Sequence, residues 1–157
     1  MADIKSTEER SKNMAAIRSR DTKPEVFIRS GLFSRGYRYR IAPKNVPGHP
    51  DLYLAKYKTA IFVHGCFWHR HAGCKYAYSP KSRPEFWNAK YESNLKRDYV
   101  VKEALQEKGF RQLIIWECSI REALRNESIR IKLFDRIERF LCSDEEYLEI
   151  ASLTAEK

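Results

Sequence analysis

The chain has 157 residues and a formal net charge of +9, from 30 Lys+Arg against 21 Asp+Glu, a length that suits one domain, 1–157, able to bury a core without covalent staples. Four cysteines are too few for a disulfide scaffold and no apolar run is long enough to cross a bilayer, so a reducing cytoplasm is expected, where thiols stay free for metal. The basic excess expects a polyanionic partner. Arg18, Arg20, Lys23, Arg29, Arg35, Arg38, Arg40 and Lys44 interleave with Tyr37 and Tyr39, which suits nucleic acid better than a membrane surface, although charge alone serves a solvated face equally well.

In chain order, residues 1–20 read as an N-terminal arm, with Thr7 capping a helix to about Ser19 that carries Met14 and Ile17 on one face. Thr22 with Glu25 three residues on is a capping box. Pro24 sits in the first turn, and Val26, Phe27, Leu32 and Phe33 follow before Gly36 stops the second helix. Tyr37 to Ile41 reads as a strand and Pro43 to Pro50 as an irregular loop. Asp51 to Lys56 and Thr59 to His64 then form a hairpin about a turn at Tyr57 and Lys58. That register pairs Leu52 with Val63 and Leu54 with Ile61 on one apolar face, and sets Asp51 opposite His64 on the other. Pro84 to Lys108 is a long helix ended by Gly109, with Phe86, Leu95 and Tyr99 expected in the core. Phe110 to Trp116 is an apolar strand, Glu127 to Leu141 a final amphipathic helix ending near Cys142, expected as a buried thiol, and 142–157 a tail. The order predicts an α/β fold, a mixed central sheet flanked by helices.

The segment from His64 to Cys74 gathers three of the four histidines and two of the four cysteines, a concentration that asks for a metal rather than for core packing. Cys66, His71 and Cys74 have zinc-ligand spacing, and Cys118, just past the later strand, supplies a fourth soft donor for a tetrahedral site. Cys66, His69 and Cys74 are spaced equally well, so His69 and His71 compete for one position. Four protein ligands leave no open position, which makes the site structural.

The remaining polar residues carry chemistry. Asp51, at the end of a loop and the start of a strand, offers a hard oxygen for Mg²⁺, and an ion there would stabilise charge developing on a phosphodiester. His64 or His69 would accept a proton from an attacking water, because imidazole titrates near neutrality. Glu25 reads first as the capping-box partner. Phe67, Trp68 and Trp87 read as core or zinc-covering aromatics on their own.

Together the run Gly48 to Asp51, the run His64 to His69 with His71 and Cys74, Glu85 to Trp87, Trp116 to Cys118, and Arg10 to Met14 with Ile17 and Arg20 to Thr22 resemble the very-short-patch-repair mismatch endonucleases, the Vsr family, over about residues 10–141. The resemblance implies a fold like that of type II restriction endonucleases, an embedded structural Zn²⁺, and Mg²⁺-dependent nicking of double-stranded DNA 5′ to the thymine of a T:G mismatch left by deamination of 5-methylcytosine. Carried over by position, Asp51 and the backbone carbonyl of Val63 hold Mg²⁺. His69 is the general base, with His64 and Glu25 assisting, and zinc goes to Cys66, His71, Cys74 and Cys118. Phe67, Trp68 and Trp87 enter the DNA beside the mismatch, and Met14 and Ile17 meet it from the arm. A monomer that works alongside mismatch-repair proteins is expected. The sequence departs from the family pattern in a zinc loop one residue longer, at Ala72 and Gly73, and in Val63 where the family often has Thr. A zinc-stabilised DNA-binding module without catalysis and a restriction-type nuclease of the same fold are the rival readings.

Overall fold

The computed structural model describes residues 21–154, so the arm 1–20, with its predicted helix, Met14 and Ile17, lies outside the described residues. Thr22 starts helix α1 (Lys23–Ser34): its Oγ1 accepts the Glu25 N–H at 3.4 Å, with Pro24 in the first turn, satisfying one of the orphan donors of a helix start. The reciprocal half of the predicted box is absent. The Glu25 carboxylate turns instead to the Asp21 N–H at 2.6 Å and to Arg29 at 3.2 Å. Gly36, at φ 95°, lets the chain reverse after the helix, with the Tyr37 N–H returning to the Leu32 carbonyl at 3.0 Å.

Four strands make one mixed sheet in the order β1 (Leu52–Leu54), β2 (Thr59–His64), β3 (Arg111–Trp116), β4 (Tyr147–Ile150). The first pair is antiparallel and the other two are parallel. Between them run α2 (Pro84–Glu107), α3 (Glu117–Arg125) and α4 (Glu127–Cys142). On one face Leu52, Leu54, Ile61, Leu113 and Ile115 pack against Ile28 and Leu32 of α1 and Leu133, Phe134 and Ile137 of α4. On the other, Tyr53, Ala60, Phe62, Ile114 and Trp116 lie under Val101 and Leu105 of α2. Alternation along the strands thus feeds two cores, and truncating Ile61 or Leu113 to Ala would cost about 2–5 kcal/mol. Gly31 permits the α1–α4 contact, since a Cβ there would lie 2.1 Å from the Phe134 ring. Arg111 staples the far end of the sheet by donating to the carbonyls of Phe140, Leu141, Ser143 and Glu145.

Several expectations change. The 37–41 strand reduces to one bridge, Arg40 with Tyr53, because β1 offers only three residues and Ala42 turns away at φ 43° with its N–H on the Pro50 carbonyl. The hairpin register is Leu52 with Ile61 and Leu54 with Thr59, two residues from the predicted one. A 3₁₀ turn, Ala55–Tyr57, followed by left-handed Lys58 consumes the residues assigned to strands. A slip of two preserves the face of every side chain, so Leu52 still meets an apolar partner while Leu54 meets Thr59 and Asp51 no longer stands opposite His64. The segment 142–157, expected as a tail, contains β4, and Cys118, just past β3 as expected, lies in the first turn of a helix that was not predicted, α3. Cys142 is exposed, as are Phe86, Leu95 and Tyr99 on α2.

Candidate active site and metal centre

Beyond the end of β2 the chain turns through the segment 65–79, which builds two adjacent centres. The first is a four-donor cluster: ligand atoms of Cys66, His71, Cys74 and Cys118 lie within 4.8 Å of one another. The turn Cys66 to His71, closed by the His71 N–H on the Cys66 carbonyl at 3.0 Å, aims His71 inward. The first turn of α3 delivers Cys118, whose Sγ lies 3.6 Å from His71 Nδ1. The hydrogen bond between Cys66 and Cys118 pushes the Cys66 thiol up and, with help from His71 and Cys74, brings Cys118 down to about 6. Three sulfurs and one imidazole, one thiol already disposed to ionise, are a donor set that fits zinc. Of the two histidines that spacing left as alternatives, His71 lies with the three cysteines and His69 with His64 and Asp98. The longer loop, with Gly73 at φ 72°, still brings Cys74 to the cluster.

The second centre is a cavity of about 300 Å³ lined by Glu25, Asp51, Val63, His64, His69, Arg97 and Asp98 among others. Asp51 Oδ2 accepts the Val63 N–H at 2.6 Å, which fixes the carboxylate at the mouth of the β1–β2 pair. Burial, with the neighbouring Glu25 carboxylate, outweighs the Val63 N–H and Arg29 and pushes Asp51 up to about 7. Glu25 itself is 6% exposed and is tied to Arg29, which also reaches Asp21 at 2.6 Å. His64 stacks on His69 with ring centres 3.8 Å apart and planes 5° apart. Burial and the adjacent His69 push His64 down to about 3, and its Nδ1 is buried with no hydrogen-bond partner among the described residues.

His69 Nδ1 lies 2.6 Å from Asp98 Oδ2 of α2. A neutral His69 ring that donates Nδ1–H to this carboxylate has Nε2 as its acceptor. Asp98 was not found in the sequence. It is the only Asp among the residues of α2, and the available signal was chemical: a histidine base calls for a carboxylate to orient it. Trp116 was likewise missed. Its ring stacks on His71 at 4.2 Å and meets His64 edge-on at 5.3 Å, while its Nε1–H donates to Glu149 of β4 at 2.7 Å.

Beside the cavity the three predicted DNA-facing aromatics form one shelf. Phe67 lies 4.9 Å from Trp68 and 5.5 Å from Trp87, and Trp68 lies 5.9 Å from Trp87. Phe67 also meets Tyr78 and Tyr91, which makes it the hub and leaves Trp68 at the rim. Asn94 fixes the Trp68 carbonyl at 2.9 Å.

Comparison with known proteins gives the chain's relatives. The family model described as DNA mismatch endonuclease Vsr matches residues 2–75. The Type II nicking enzyme V.NmeAIP of Neisseria meningitidis serogroup A is 42% identical over 139 residues, covering 88% of this chain and 96% of its own length. The DNA mismatch endonuclease Vsr of Escherichia coli (strain K12) is 41% identical over 146 residues, 92% of this chain and 90% of its own length. The Type II nicking enzyme V.HpaIIP of Haemophilus parainfluenzae is 33% identical over 135 residues, 84% of this chain and 96% of its own length. The chain belongs to the DNA mismatch endonuclease Vsr family.

Proposed function

We propose that the protein is a Mg²⁺-dependent endonuclease of restriction-endonuclease-like fold that nicks one strand of double-stranded DNA 5′ to the thymine of a T:G mismatch, as a monomer in the cytoplasm with a structural Zn²⁺. The observation that carries this reading is the joining, in and beside one cavity, of a buried carboxylate (Asp51), a carboxylate-oriented imidazole (His69 on Asp98) and an aromatic shelf. Its relatives' names, nicking enzyme and mismatch endonuclease, support the same chemistry. Among the described residues no helix is long and apolar enough to cross a membrane.

Asp51 and the Val63 carbonyl would hold Mg²⁺, which when bound supplies Lewis-acid stabilisation of the charge on the phosphodiester. His69 Nε2 accepts the proton of the attacking water and Asp98 holds the ring in the tautomer that can do so. His64, kept neutral by burial, braces the His69 ring face to face. Glu25 adds a second carboxylate beside Asp51, and Arg29 holds it there. Cys66, His71, Cys74 and Cys118 would hold Zn²⁺ with no position left for substrate, so that centre shapes the loop carrying His69 and Trp68. Trp68, with Phe67 and Trp87, would replace base stacking lost at the mismatch, where unstacking costs least. Met14 and Ile17 would meet the DNA from the arm.

The test is nicking of a T:G duplex beside its T:A control, with Mg²⁺ and with EDTA. Mg²⁺-dependent nicking of the T:G strand alone is expected. Binding without nicking would leave a DNA-binding module, and equal cleavage of the T:A duplex a restriction-type nuclease.

A further inference from the structure

Arg70 stands between His69 of the cavity and His71 of the four-donor cluster, with its backbone in the left-handed region at φ 52°. A non-glycine residue stays in that strained region only where its surroundings hold it there. Nη1 donates to the carbonyls of Phe67 at 3.3 Å and Tyr78 at 2.9 Å. Nη2 donates to the Ala77 carbonyl and to Ser79 Oγ, each at 3.0 Å. The guanidinium lies 3.9 Å from the centre of the Tyr91 ring on α2. Among the described residues no carboxylate pairs with it. An Arg on a basic protein is most simply a phosphate contact, but here the fork is already occupied on both terminal nitrogens.

These contacts close the outer end of the loop as the cysteine and histidine cluster closes the inner end. Arg70 joins the residue before Trp68 to the strand of chain at 77–79 and presses both onto Tyr91, while Asn94 takes the very next carbonyl, that of Trp68. We infer that Arg70 is a positioning residue for specificity: it holds the Phe67–Trp68 edge rigid, so that the edge enters a base stack opened by a mismatch and is refused by a paired one. A loosened edge would lose affinity for the mismatch through the cost of ordering it. It would also fold aside against a paired stack instead of clashing, and discrimination, a difference of two affinities, would narrow from both sides.

The inference rests on the aromatic shelf acting as the wedge, and the test separates the two. Full-length, zinc-loaded wild type, Arg70→Lys, Tyr91→Leu and Trp68→Ala are bound, without Mg²⁺, to T:G and T:A duplexes carrying 2-aminopurine beside the T. The fluorescence rise of that base reports unstacking. Lys keeps the charge but, as a point donor, cannot span four acceptors. Arg70→Lys should retain zinc and salt dependence, lose most of the emission rise on T:G, and narrow the T:G to T:A affinity ratio by about 10-fold. Tyr91→Leu, which removes the ring beneath the guanidinium, should move both readouts the same way and stands in if the Lys variant fails to fold. Wild-type emission and ratio in a folded, zinc-loaded Arg70→Lys, or an equal loss on both duplexes, would overturn the inference. If Trp68→Ala also leaves emission and ratio unchanged, the wedge reading itself fails; if only Trp68→Ala changes them, the assignment of Arg70 alone falls.

Discussion

Asp98 and His69 are joined at 2.6 Å across 29 residues of sequence, and this single contact ties the loop that carries the proposed base to the middle of the longest helix. In the proposed mechanism it sets a direction as well as a position, because a proton held on Nδ1 by the carboxylate leaves Nε2 as the base. Asp98→Asn keeps the size of the side chain but permits the wrong tautomer. Its nicking rate should fall roughly 10²- to 10⁴-fold, as should that of His69→Ala, with zinc content and DNA affinity retained. A change confined to DNA affinity in either variant would make the pair a contact to substrate rather than its base.

Asp51 yields a prediction in pH. Without Mg²⁺ its folded-state value is about 7 against an ordinary 3.8, so the native state binds the proton more tightly than the unfolded chain does. The associated stability is full below about pH 3.8 and is lost as pH rises through about 7. Asp51→Asn, an uncharged acceptor for the Val63 N–H, should therefore exceed wild type by about 1–3 kcal/mol at pH 8 in Mg²⁺-free urea unfolding, with the gap closing near pH 4. Added Mg²⁺ should stabilise wild type and not this variant, and Asp51→Ala should not nick. A gap that is the same at both pH values would mean that the carboxylate ionises in the fold at no cost.

For the four-donor cluster, we expect one tightly held Zn²⁺ per chain. Cys66→Ala, Cys118→Ala and His71→Ala should each lower metal content and thermal stability, since binding energies of such sites are on the order of 10 kcal/mol at neutral pH. His69→Ala should retain the metal. Elemental analysis with the two histidine results exchanged would reverse the ligand assignment.

Trp68 lies at the rim of the shelf and Phe67 at its hub, so truncation should separate recognition from packing. Trp68→Ala should remain folded and zinc-loaded while losing most of an advantage for T:G over T:A of about 30- to 150-fold, the equivalent of about 2–3 kcal/mol. Phe67→Ala should also lower thermal stability, because it removes a ring from four aromatic contacts. Full discrimination by folded Trp68→Ala would return Trp68 to the role of a cover for the metal loop.

The net charge of +9 predicts steep salt dependence for any duplex. With about 6 to 10 phosphate contacts, affinity should fall by about 10³ to 10⁵ between about 50 and 200 mM salt. A nearly flat plot from fluorescence anisotropy would place the basic surface away from DNA.

What the sequence made legible was local. Thr22 and Gly36 bracket α1, Gly109 stops α2, and apolar alternation gives β2 and β3, so their bounds lie within a residue or two of the expected ones. What it concealed depends on contacts far apart along the chain. β4 is four residues behind an acidic run, and its place is set by pairing with β3, not by propensity. The hairpin register hung on a 3₁₀ turn that composition does not announce. Glu25 satisfied a capping motif on paper while its side chain was needed beside Asp51, and Asp98 carried no spacing signal because its partner sits 29 residues upstream. Periodicity misassigned Phe86, Leu95 and Tyr99, since a helix resting on a sheet by one narrow stripe leaves apolar residues outside as well.

Each centre is completed by a late-arriving residue: Cys118 for the four-donor cluster and Asp98 for the histidine pair. During synthesis from the N-terminus, then, the nascent chain presents Asp51, His64, Cys66, His69, His71 and Cys74 long before either set can close. Over that interval it carries a partial thiol set with the affinity of an incomplete chelate, and a histidine free to turn. The proposed catalytic and metal sets therefore close only once residues 98 and 118 have been made and α2 and α3 can pack against the sheet.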